Sequence, residues 1–173
     1  WGQIDTHAMY SDFFFQVVFV ATAMSVVSGA VAERKKLWTF LLFAAVFSCV
    51  LYPIQGSWSW GGGWLSEAGF SDFAGSGIVH MAGAAAALAG VLILGPRAGK
   101  YTKGGLPKPI HGSNASQVAL GTLILWMGWF GFNGGSQLAI DGIANADAVA
   151  KIFVNTNTAA SAGLLTAMVL SKL

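Results

Sequence analysis

A chain of 173 residues that is 55% hydrophobic, 13% aromatic and only 9% charged lacks the polar surface that a water-soluble domain of this size needs. Its net charge of +2 forms no basic stripe, which excludes nucleic acid as an expected partner, and one cysteine excludes a disulfide framework or a cysteine-built metal centre. The chain reads as an integral membrane protein of all-α class, a polytopic transmembrane helix bundle. Five apolar segments are expected to span, at about 13–32, 37–54, 72–95, 115–136 and 148–170.

Residues 1–12, with Asp5, His7 and Asp12, form a short polar lead-in. No initiator Met and no basic leader precede them, so the chain is expected to be a fragment without a signal peptide. The first span opens on Phe13, Phe14 and Phe15, with Phe19 one turn beyond Phe15; an aromatic stripe at this spacing suits packing or interfacial anchoring. Cys49 lies inside the second apolar run and is expected to be a passive core residue. The four prolines are read as lying at segment ends or between segments, where a helix tolerates them. The loop at 57–70 concentrates Trp58, Trp60 and Trp64 beside three consecutive glycines. Two of these indoles suit an aromatic belt, and one can offer its face to a cation at a pore mouth. The glycines are not a phosphate loop, because no Lys-Ser/Thr follows them.

The third span is the centre of the chain. Asp72 can cap the free N–H groups of its first turn, and Pro96 with Arg97 supplies its stop. His80 follows eight residues later, roughly 12 Å along a helical rise, deep enough that an ionisable ring needs a polar partner or a solute path. Ala82, Ala86 and Gly90 make one row of small residues and Gly83 with Ala87 another, so neighbouring helices can approach closely. The loop from Pro96 to Ser116 is polar and basic, with His111 read as solvated, and Asn114 opens a glycosylation sequon on the side where none would be used. In the fourth span Trp129, Phe132 and Ser136 share one helical face, which suits either a vestibule or a packed interface. Asn155 to Thr158 in the last span are read as polar glue between helices. Eight of the nine Lys and Arg residues fall on one side, leaving Lys151 on the other, so the N-terminus is expected outside and the C-terminus in the cytoplasm. No Ser/His/Asp set, HExxH or Cys/His cluster is present, so no enzyme, cofactor or metal is expected.

Two stretches resemble a known family. DFAGSGIVHMAGAAAALAGVLILGPR, from Asp72 to Arg97, and GWFGFNGGS, from 128 to 136, are similar to the hallmarks of the ammonium transporter family, the Amt, methylammonium permease and Rhesus group. AERKK after the first span and FVNTNTAA in the last extend the resemblance over essentially the whole chain. It implies an eleven-helix protein built of two inverted repeats, assembled as a homotrimer in the cell membrane, of which this chain matches the third to seventh helices. It also implies that ammonium, or methylammonium, is recruited by Trp60, Phe19 and Ser136, that Phe19 and Phe132 gate the pore, and that His80 is the first of two pore histidines. Asp72 takes a structural and electrostatic role below the recruitment site, and Trp129 a packing role. The basic loop is expected to meet membrane lipid or a regulatory protein of the PII type. An ammonium sensor driving a cytoplasmic output module, or a conduit for methylamine or a neutral gas, is the alternative reading.

Overall fold

The computed structural model describes residues 9–172; the expected lead-in with Asp5 and His7, and Leu173, lie outside the described residues. The elements among the described residues are all helices: α1 Met9–Ala30, α2 Leu37–Ser57, the short α3 Trp64–Glu67, α4 Ser76–Leu94, α5 Ala115–Gly135 and α6 Gly142–Leu170. All but α3 are long and apolar enough to cross a membrane. Met9–His111 forms one compact unit, and the described residues from Gly112 onward form a second.

In the first unit α4 packs along α1. Gly83 is the reason for the close approach: a Cβ there would lie 2.6 Å from the carbonyl oxygen of Ala23 and 3.1 Å from the Cβ of Val26. Ala87 of the same small row is buried, as are Ala23 and Val27 of α1. Lipid offers apolar side chains as good an environment as protein does, so this pairing draws on close van der Waals contact, which small residues permit. The other small row, Ala82, Ala86 and Gly90, lines a cleft between α4 and α2.

The proline expectation fails at Pro53, which lies inside α2 and not at its end. Residues Phe47–Leu51 form one π-helical turn, and the Tyr52 N–H donates to the Phe47 carbonyl five residues back. Widening the helix by one residue relieves the clash between a proline ring and the preceding turn, so α2 continues through it. Cys49 lies in this turn and is exposed, contrary to the core position expected of it.

In the second unit α5 pairs with α6. Asn114, read in the sequence as an unused sequon, is the N-cap of α5 and accepts from the Gln117 N–H at 3.0 Å. The helix α6 begins at Gly142, upstream of the apolar run that starts near 148. Apolarity marks the part of a helix suited to lipid, and the polar first turns of α6 precede it. Asn145 there donates to the Asp141 carbonyl at 3.1 Å and accepts from Gln137 at 3.1 Å. Deeper along the pair, Asn133 donates to the hydroxyl of the buried Thr156 at 3.0 Å, and the rings of Phe130 and Phe153 meet edge to face at 5.4 Å.

Candidate functional site

The site is built on the start of α4. The Asp72 carboxylate accepts from four consecutive backbone N–H groups, Gly75 and Ser76 on one oxygen at 2.8 and 3.0 Å, Gly77 and Ile78 on the other at 2.8 Å each. A helix start leaves about four such donors without partners, and one ionised carboxylate has about four lone-pair positions to offer. The match is complete. Gly75 makes the turn possible: its φ of 95° is left-handed, and a Cβ there would also run into Val79 and the Trp60 ring.

The first six residues of α4, Ser76–Met81, are π-helical. The N–H groups of Val79 and His80 both donate to the Gly75 carbonyl, at 2.9 and 3.0 Å, and the Nδ1 of the His80 ring lies 3.2 Å from the same oxygen. Gln55 of α2 donates to the Ile78 carbonyl at 2.8 Å and so ties this turn to the neighbouring helix. Because the helix starts at Ser76 and not at Asp72, His80 stands roughly 6 Å of rise from the helix start, half the expected 12 Å. The residues from Asp72 to Gly75 are spent on a capping turn that a count of helical rise does not see.

The three tryptophans of the loop divide. Trp58 and Trp64 pair with each other, ring centres 5.9 Å apart. Trp60 instead donates its indole N–H to the Asp72 carbonyl at 2.7 Å and meets Phe19 of α1 nearly perpendicular, at 5.8 Å and 79°. Phe15 packs against Phe19, with ring centres 4.4 Å apart. Phe19 is 2% exposed and Trp60 36%, so the indole is fixed at one end and still reachable. An anchored ring of this kind offers a π-face at little cost in side-chain entropy.

Trp129, Phe132 and Ser136 belong to the second unit. The rings of Trp129 and Phe132 stand 6.0 Å apart at 31°, and the Ser136 hydroxyl donates to the Phe132 carbonyl at 2.9 Å. With its proton engaged, the Ser136 oxygen is left to act as an acceptor. The first unit thus joins Phe19, Trp60, Asp72 and the His80 turn, and the second joins Trp129, Phe132 and Ser136. Gln55 and Gly75 escaped the sequence reading. A glutamine in an apolar run, which must find a partner in lipid, was the available signal for the first.

The sequence model of the Ammonium Transporter Family matches residues 2–173. The chain belongs to the ammonium transporter family. The ammonium transporter Amt2 of Archaeoglobus fulgidus is 50% identical over 170 residues, covering 92% of this chain and 36% of that protein. A putative ammonium transporter of Synechocystis sp. is 46% identical over 157 residues, covering 91% and 35%, and the Bacillus subtilis ammonium transporter is 40% identical over 150 residues, covering 87% and 34%. The chain therefore spans about a third of the length of these relatives. No solved structure gives a significant match. Family membership and five apolar helices together make this an integral membrane protein.

Proposed function

We propose that the complete protein carries ammonium across the cell membrane, recruiting the cation at an outer aromatic site and passing ammonia through an apolar pore. The observation that carries this reading is the perpendicular Phe19–Trp60 pair, hydrogen-bonded through Trp60 to the capping turn that precedes His80. Ammonium nearly equals potassium in size, so sieving cannot select it; N–H donors meeting ring faces and a hydroxyl acceptor can. Trp60 and Phe19 supply the rings, and Ser136 is assigned the acceptor role by family resemblance. Phe19 and Phe132 act as the gate, and Trp129 packs beside Phe132. Moving the intact cation through an apolar bore costs several kcal/mol or more, which deprotonation at the entrance removes. His80 then offers a polar step within the bore, shared with a second histidine outside this chain.

Asp72 serves this site without touching the cation. Four N–H groups already occupy its carboxylate, which supports the structural and electrostatic role. The family also implies an eleven-helix fold of inverted repeats, a homotrimer, N-terminus outside and C-terminus cytoplasmic for this segment, and a PII-type regulator on the basic face.

The test is transport by the complete protein in vesicles. Trp60→Leu is expected to weaken apparent ammonium affinity roughly 5- to 30-fold, the worth of a cation–π contact of about 1–2 kcal/mol, while the oligomer stays folded. His80→Ala is expected to abolish electrogenic ammonium transport or turn it into poorly selective cation flow. Unchanged affinity in the first variant and unchanged current in the second would defeat the reading.

A further inference from the structure

Gln55 is an amide set in the apolar length of α2, and its Nε2 reaches across to α4 to donate to the Ile78 carbonyl at 2.8 Å. Ile78 is 3% exposed, so water does not substitute for this donor. The helices come close at the same level: a Cβ on Gly56 would lie 3.9 Å from the Ile78 side chain.

The Ile78 carbonyl needs that donor because of the π-helical turn it belongs to. In a regular α-helix the Ala82 N–H would donate to Ile78, four residues back. Here it reaches the carbonyls of Gly77 and Val79 and passes over that of Ile78. Gln55 supplies from a neighbouring helix what the wide turn takes away. The π-turn of α2 at Phe47–Leu51 serves the same contact, since one extra residue turns everything beyond it by roughly 100° and so sets the face on which Gln55 meets α4.

Both sides of the α4 turn are fixed. Asp72 holds the N–H groups from Gly75 to Ile78, and Gly83 is seated against the Ala23 carbonyl. His80 lies between these anchors, with its Nδ1 3.2 Å from the Gly75 carbonyl. Without Gln55, a buried carbonyl lacking its donor would favour return of the Ala82 N–H to Ile78, because an unmade hydrogen bond in an apolar setting is costly. That change of register removes one residue from the wide turn, a rotation of roughly 100° that the residues between the anchors must absorb.

We propose that Gln55 is a positioning residue for His80: its amide holds the wide register at the start of α4 and with it the orientation of the imidazole. Its consequence for transport rests on the reading above, in which His80 serves the pore; its effect on the ring does not.

The test reads the ring directly. The complete protein, labelled with ¹⁵N-histidine in lipid bilayers, gives a solid-state NMR signal for His80 that is assigned by its loss in His80→Ala. Gln55→Met, which keeps the length and removes the donor, is expected to displace the His80 Nδ1 resonance and leave the other histidines in place. Gln55→Asn, whose amide is one methylene short, is read in the same way should Gln55→Met not assemble. Gln55→Lys restores an N–H donor of similar reach and should return the signal toward that of the wild type. Maximal ammonium current per folded molecule should fall roughly 10- to 100-fold in Gln55→Met, the scale of a misplaced functional group, with apparent ammonium affinity little changed. An undisplaced His80 resonance in the donor-free variant would overturn the proposal. So would a Gln55→Lys signal displaced as far as that of Gln55→Met, which would make the effect one of packing. A normal current in His80→Ala would instead defeat the pore reading and leave the resonance shift to decide the role of Gln55.

Discussion

The two ends of α4 are both held by charge, but in different ways. At the start, Asp72 gathers N–H groups no more than six residues away in the chain. At the other end the partners come from across the fold: Arg34 reaches the Gly95 carbonyl 61 residues on, and Arg97 closes a two-pronged pair on Glu33, 64 residues back, at 2.7 and 2.8 Å. Arg34 also holds the Ala30 carbonyl, so one guanidinium serves the C-terminal ends of both α1 and α4. Both arrangements answer the same electrostatics, since helix starts need acceptors and helix ends need donors. They differ in their exposure. Asp72 is half-buried, whereas the side chains of Arg97 and Glu33 are 41% and 63% exposed, where water and salt weaken the attraction. A local carboxylate shielded from water is expected to matter more than a remote pair open to it.

Substitutions in the complete protein, read as unfolding midpoints in detergent, rank the two ends. Asp72→Ala should be the most damaging, costing about 3 kcal/mol or more, because it leaves several N–H groups without acceptors at once. Asp72→Asn keeps the shape but not the charge and should recover part of that loss. Arg34→Leu should follow at about 2 kcal/mol, through the orphaned carbonyls of Ala30 and Gly95. Glu33→Gln should cost no more than about 1 kcal/mol and lose its effect as salt is raised. Glu33→Gly is the finest probe. Glu33 has a left-handed φ of 66°, a conformation that costs about 1–2 kcal/mol for a residue with a Cβ, so relief of that strain should offset the lost pair and leave stability nearly unchanged. A Glu33→Gln loss larger than that of Asp72→Ala would reverse the ranking.

The sequence by itself determined what depends on composition and near neighbours. Membrane character, five apolar helices, Asp72 as the capping acid and Gly83 with Ala87 as a packing row all follow from apolarity, spacing and residue size over a few turns. Tertiary structure decided what depends on hydrogen-bond register or on distant partners. The π-turns that carry His80 and admit Pro53 shift the register by one residue without altering the apolar pattern, so no periodicity reports them. Trp58, Trp60 and Trp64 are chemically identical and close in sequence; only the packing of α1 beside the loop places Phe19 against the second of them. Glu33 and Arg97 likewise sit in two loops of ordinary polar composition. They become partners because α1 and α4 run in the same direction and end side by side, which the chain achieves only once Gly83 lets their backbones meet.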